Sequence, residues 1–258
     1  MKTGCNIIKN LRDKTNWLSF ISGFSLVFAY APFSFWWITF LALLLFLQQI
    51  ESKSCRISSK QGLIFGFGWF ASGISWVHVS IETFGGMPLI ASLFLMFLLC
   101  LYLAVYPALA CYLSAKITKD KKLNIWYLLP FWILTEYLRS VLFTGFPWLS
   151  LGYSQINSPF SSYAPVIGEV GISFIVLLSC ISLFKVIKRR QIKRHSLILI
   201  SLTIGAVLLS QVNWTEPNGK KTIVALVQGN IDQSEKWAFE NELPTMLTYL
   251  EMTRANYD

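Results

Sequence analysis

Apolar residues in this chain fall into seven long runs separated by short polar or turn-like connections. They extend from Trp17 to Tyr30, Phe35 to Ile50, Gly62 to Val79, Leu89 to Leu113, Leu123 to Phe143, Gly171 to Ile187 and Ser196 to Val212. Each approaches the roughly 20 residues a helix needs to cross a hydrocarbon core of about 30 Å. The pattern therefore predicts an integral membrane α-helical bundle of seven spans over residues 1–212. The first two runs are short, and Pro32 between them marks a turn, because proline breaks a helix and restrains the residue before it. The first run does not read as a cleaved leader, since no small-x-small site follows and another apolar run starts almost at once.

Beyond Val212 the pattern changes. A linker over 213–221 contains Pro217-Asn218-Gly219, a turn signal. The β-branched run Thr222 to Val227 predicts a strand. Leu243, Met246, Leu247 and Leu250 give Pro244 to Tyr257 the spacing of an amphipathic helix. One strand and one helix bury too little for a core of their own. Residues 222–258 thus read as the start of an α/β domain that is incomplete here.

Composition sharpens the membrane reading. The chain is 54% hydrophobic and only 14% charged, against roughly 25% charged residues in ordinary soluble domains. That much apolar surface excludes a disordered chain. The formal charge of +9 suggests a nucleic-acid binder, but too little polar surface remains to build a phosphate-binding groove. No nucleic acid is expected as a partner.

The cations are sorted by side. Lys2, Lys9, Arg12 and Lys14 precede the first run; Lys53, Arg56 and Lys60 fill the second connection; Lys116, Lys119, Lys121 and Lys122 fill the fourth. The sixth holds Lys185, Lys188, Arg189, Arg190, Lys193 and Arg194, whereas the first, third and fifth connections hold no cation. Cytoplasmic loops attract Lys and Arg, so the N-terminus is expected inside and everything after Val212 outside, in the periplasm of a Gram-negative cell. The outer tail carries four cations and seven acids, an opposite balance.

Few residues look chemical. The five cysteines form no CxxC and no Cys/His cluster, so neither a metal site nor a disulfide framework is indicated, and they read as small hydrophobes. His78 sits near the outer end of the third run, and His195 in a basic loop is expected to be solvated. Glu136 and Arg139 lie three apart on one helical face and can pair; ionisable residues inside a span default to a functional hypothesis, with a bundle-fixing ion pair as the alternative. Gly62 and Gly66 form a GxxxG pair suited to close helix packing. The fifth connection, with Thr144-Gly145-Phe146-Pro147-Trp148-Leu149, is aromatic, shaped by glycine and proline, and free of charge up to Glu169. It suits either an interfacial aromatic belt or a loop lining a lipid-accessible cavity.

Four segments carry a family resemblance: Ser80-Ile81-Glu82-Thr83-Phe84-Gly85-Gly86-Met87-Pro88, Thr144 to Leu149, Gly152-Tyr153-Ser154-Gln155, and Val227-Gln228-Gly229-Asn230-Ile231-Asp232-Gln233-Ser234-Glu235-Lys236-Trp237. Together, in this order, they resemble the apolipoprotein N-acyltransferase family from about residue 15 to the end of the chain. The resemblance implies an inner-membrane enzyme with a nitrilase-like α/β domain on the periplasmic face. Such an enzyme moves an acyl chain from a phospholipid to the α-amino group of the diacylglyceryl cysteine of an apolipoprotein. It needs no cofactor.

The family's chemistry uses a Cys nucleophile, a Glu general base and a Lys at the oxyanion. By the resemblance all three are expected beyond Asp258, so no catalytic residue is assigned in this chain and these 258 residues alone are expected to be inactive. One half of a split enzyme with a second chain, and a non-catalytic module binding lipid or lipoprotein, are the alternatives. Gly145 and Trp148 match the family's motif loop, and Trp237 matches its first periplasmic loop, positions tied to substrate access. Glu136 and Arg139 match its charged pair in the fifth span. These five are the implied substrate-binding positions, with Trp148 and Trp237 expected against acyl chain or headgroup, or else as interface anchors.

Overall fold

The computed structural model describes residues 2–217, 219, 221–233, 235–236 and 238–256, with side chains in the first helix described from Lys14 onward. The chain divides into two units, Met1–Trp214 and Thr215–Asp258.

Among the described residues, eight α-helices form the first unit: α1 Lys2–Ser25, α2 Ile38–Ile50, α3 Cys55–Gly73, α4 Val77–Thr83, α5 Leu89–Lys116, α6 Ile125–Val141, α7 Ala164–Ile187 and α8 Ile192–Leu209. α3 is central, packed between α1 and α5, while α5 also meets α6, and α7 meets α2, α6 and α8. The GxxxG pair explains how α3 and α5 come so close. A Cβ on Gly62 would lie 2.7 Å from the Pro107 carbonyl oxygen, and one on Gly66 would lie 2.9 Å from Ala104 Cα. Only glycine permits that approach, which is the packing use of the motif. Beside this seam, aromatic rings from α2, α3 and α6 form the core: Phe46 stacks on Phe65 with centroids 4.0 Å apart, and Trp132 lies 6.1 Å from both Phe65 and Trp69.

The outward faces are apolar too. Ile90, Leu197, Ile200, Val207 and Leu208 are all exposed, a surface far more apolar than water tolerates on a monomer and suited to lipid. Among the described residues, three segments are long and apolar enough to cross a membrane: Leu89–Lys116, Pro159–Ile187 and Ile192–Leu209. A fourth is α3 with α4, bent by 54° at the break between them. This is fewer than the seven spans the pattern predicts, and the reasons are local. α2 has 13 residues, about 20 Å at 1.5 Å per residue. α6 has 17 residues and carries the Glu136–Arg139 pair, and the apolar part of α1 gives way to a 3-10 turn at Leu26–Ala29.

The cation-rich connections meet at one end of the unit. Ser52 N donates to the Leu123 carbonyl at 3.0 Å and Leu123 N donates to the Lys53 carbonyl at 2.7 Å, flanking an isolated antiparallel bridge between Ser54 and Lys122. His195 corrects an expectation here. It is buried rather than solvated and stacks on Trp126, centroids 5.5 Å apart. α8 begins at Ile192, so His195 belongs to its first turn and meets the first turn of α6.

In the second unit, α9 spans Glu242–Arg254, close to the predicted amphipathic helix. The predicted strand is absent: no strand forms among the described residues, and Ile223 and Leu226 are 100% and 93% exposed. A strand exists only through hydrogen bonds to a neighbour, and the described residues of this unit offer none.

Candidate functional site

The uncharged connection after α6 is an ordered structure built from the residues that the sequence singles out. Its backbone turns sharply through positive φ at Phe143, Thr144, Gly145 and Leu149, then forms short 3-10 turns at Leu151–Gln155 and Pro159–Tyr163. Gly145 has φ of +82°, and a Cβ there would overlap the Ser140 carbonyl. Glycine is therefore required at this position for both conformation and space.

Such a loop exposes carbonyls and amides that need partners, and α6 supplies them. Arg139, 3% exposed in the last turn of α6, donates through Nη1 to the Phe146 carbonyl at 2.7 Å and to the Trp148 carbonyl at 2.6 Å. Its own carbonyl accepts from Phe146 N at 2.8 Å. One turn earlier Glu136, 6% exposed, accepts from Leu151 N at 2.8 Å. The two side chains pair with Nη2 3.7 Å from Oε1, and the guanidinium lies 5.3 Å from the Phe70 ring centroid. The cavity beside them, lined by Trp69, Tyr106 and Trp132, holds about 10 Å³, about one water-sized sphere. The pair acts on the loop backbone.

Other elements complete the clasp. Tyr30 donates through its hydroxyl to the Leu149 carbonyl at 3.1 Å, and Gly152 N donates to Ser173 Oγ at 2.8 Å. Ser150 Oγ donates to Glu169, which Ser173 Oγ also approaches at 3.4 Å. Tyr30, Glu169 and Ser173 thus belong to the site, although sequence reasoning does not find them; a carboxylate at the border of an apolar run was the available signal for Glu169.

The side chain held out by this clasp is Trp148, 54% exposed. It packs edge-on against Phe146 at 4.9 Å and tilts against Trp76 at 5.7 Å. Trp76 immediately precedes α4, where the broken helix turns away, and is itself half exposed. The structure therefore brings Gly145, Trp148, Glu136 and Arg139 together and adds Trp76. Trp237 lies outside the described residues. Cys100, Cys111 and Cys180 are buried in the helical core, and no described cysteine lies among the loop's partners.

Two half-exposed indoles, Trp148 and Trp76, thus form an apolar contact surface beside the clasped loop. Comparison with known proteins places it. The sequence model described as "Apolipoprotein N-acyltransferase N-terminal domain" matches residues 22–182, a range that contains the whole clasp. Curated proteins named apolipoprotein N-acyltransferase are similar over most of this chain. The one from Shewanella oneidensis is 44% identical over 93% of the chain and 47% of its own length. That from Vibrio cholerae is 40% identical over 89% of the chain and 46% of its length, and that from Coxiella burnetii is 38% identical over 93% and 51%. The chain spans about half the length of the curated relatives it matches. The comparisons give no support to a separate second chain. On this match, over well more than half of its residues, the chain belongs to the apolipoprotein N-acyltransferase family.

Proposed function

We propose that these residues form the membrane-embedded, lipid-facing part of an apolipoprotein N-acyltransferase, with Trp148 as the contact to the acyl chain or headgroup. The observation that carries the reading is half-exposed Trp148, packed against Trp76, on a loop whose backbone is fixed from inside by Arg139 and Glu136. Gly145 and Arg139 act as positioning residues for that surface. The acyl donor is a membrane phospholipid and the acceptor a diacylglyceryl-apolipoprotein.

The chemistry proceeds in two balanced steps. A cysteine thiolate attacks the phospholipid ester, forming a thioester and releasing the lysophospholipid alkoxide, which takes up the proton held by the general base. The lipoprotein α-amine then attacks the thioester, giving an amide and returning the thiol. A cation beside each tetrahedral oxyanion lowers both barriers. The Cys, Glu and Lys that the resemblance implies fall on none of the positions in these 258 residues. Within the same reading the chain lies in the inner membrane and crosses it seven times, with a cytoplasmic N-terminus. Residues 213–221 act as a linker, and 222–258 open a periplasmic nitrilase-like domain whose first strand pairs once its neighbours are present.

A chimera tests this: residues 1–258 joined to the remaining half of the Shewanella oneidensis relative, assayed for N-acylation of a diacylglyceryl lipopeptide in membranes. The chimera is expected to acylate. Trp148→Ala is expected to lower kcat/KM by about tenfold, the ~1.4 kcal/mol of a half-buried aromatic contact, mainly through KM. A chimera that inserts and folds yet leaves the α-amine free refutes the reading in favour of a non-catalytic lipid-binding module.

A further inference from the structure

The opposite, cation-rich end of the first unit contains a second polar site that the acyl-transfer reading does not use. The end of α2, the connection between α5 and α6, and the end of α7 line a cavity of about 270 Å³. Its wall includes Lys122, Lys185 and Arg190 together with Glu51 and Asp120.

The two acids are already engaged. Glu51 Oε1 holds Lys185 Nζ at 3.1 Å and Arg190 Nη1 at 3.2 Å. Asp120 Oδ1 accepts from Lys122 N at 3.2 Å. One carboxylate thus neutralises one of two cations. The Arg190 side chain, 62% exposed, keeps most of its five N–H donors for another acceptor. The Lys122 ammonium has no carboxylate partner among the described residues. The bridge between Ser54 and Lys122 and the two backbone bonds beside it hold the cavity floor, so the cations project from a fixed frame.

Position identifies the acceptor. The long apolar helix α5 ends at Lys116, the apolar segment 159–187 ends at Ile187, and the next starts at Ile192. The cavity therefore lies where the lipid-suited surface stops, at the depth of phospholipid phosphates, and basic pockets at such helix ends select anionic headgroups. We propose that this cavity binds the phosphate of an anionic phospholipid headgroup, with Arg190 and Lys122 as its direct donors and Glu51 fixing the orientation of Lys185 and Arg190. The site rests on the membrane-embedded nature of the first unit alone, so it stands or falls separately from acyl transfer.

The test uses the full chain, purified in detergent and freed of lipid, with thermal melting followed as lipid is added. Phosphatidylglycerol is expected to raise the melting temperature of the wild type, and phosphatidylcholine to raise it less. For the double variant Lys122→Gln/Arg190→Gln the half-saturating phosphatidylglycerol concentration is expected to rise about thirtyfold, since each Lys or Arg near an anionic surface is worth about fivefold. Lys122→Arg/Arg190→Lys is expected to restore the response, which separates a binding defect from a folding one. An inorganic phosphate arm identifies the source: no shift assigns the site to lipid, and a shift with the same residue dependence assigns it to free phosphate. A double variant that folds and responds to phosphatidylglycerol like the wild type overturns the proposal.

Discussion

Arg139→Leu is the most informative single change, because the structure makes two separate contributions to its cost. The first is the loss of two charge-assisted hydrogen bonds, to the Phe146 and Trp148 carbonyls at 2.7 and 2.6 Å. Bonds to charged groups contribute about 1.5–3 kcal/mol each in soluble proteins, but side-chain bonds within membrane bundles average nearer 0.6, so the pair is worth about 1–3 kcal/mol. The second is larger. Glu136 is 6% exposed and would lose the cation beside it, and stranding one member of a buried ion pair costs about 3–5 kcal/mol. The two contributions share groups and do not add, so the loss is expected near 3–5 kcal/mol, a fall of about 10 °C in Tm at roughly 2–4 °C per kcal/mol. The sharper test is the double variant Glu136→Leu/Arg139→Leu. It removes the stranded charge along with its partner, so it should melt higher than Arg139→Leu alone, although Leu151 N loses its acceptor. The measurement is thermal unfolding of the detergent-solubilised chain. If Arg139→Leu melts within about a degree of the wild type, or the double variant is the less stable of the two, the clasp does not work as described.

Other positions test other links in the argument. Gly145→Ala should cost about 1–3 kcal/mol from backbone strain, plus the overlap with the Ser140 carbonyl, and should speed proteolysis between residues 142 and 150. Gly66→Leu should separate α3 from α5 and lower stability by about 1–3 kcal/mol or more, read as a fall in Tm. His195→Phe should leave Tm nearly unchanged, since it keeps the ring stacked on Trp126, whereas His195→Asp should lower it by burying a charge. A polypeptide of residues 1–258 alone should N-acylate no lipopeptide, as mass spectrometry of the product would show.

What the sequence makes legible is what lies close along the chain. Glu136 and Arg139 are three residues apart on one helix face, and their pairing follows from the helical period alone. Gly62 and Gly66 announce a close helix crossing in the same way, although the chain does not reveal that the partner is Ala104 and Pro107 on α5. Long-range partners leave no such trace. Tyr30 reaches Leu149 across 119 positions, and nothing in its local pattern separates it from any other tyrosine at the end of an apolar run. His195 looks solvated because its neighbours in sequence are cations, while in space it lies on Trp126. The strand over 222–227 reads strongly from its β-branched residues, yet propensity describes a fit to a sheet, and this unit presents no sheet to fit.

The loop itself explains why an ion pair is buried in so apolar a bundle. Irregular backbone at membrane depth is tolerated only where protein satisfies its carbonyls and amides. A segment with positive φ at Phe143, Thr144, Gly145 and Leu149 cannot do this with helical bonds. Arg139 supplies two donors through a single nitrogen, and Glu136 supplies the acceptor for the amide at Leu151. Either residue alone would leave a buried charge, so the loop's need for a donor on one flank and an acceptor on the other is met most cheaply by a pair. Both charges are thereby engaged by the loop backbone. That leaves the outer surface to uncharged rings, Trp76, Phe146 and Trp148. An aromatic surface free of fixed charge suits a contact made by hydrocarbon and glycerol rather than by phosphate. The two proposals together divide the chemistry of the unit between its ends, with apolar recognition at the clasped loop and anion recognition at the cation-rich end.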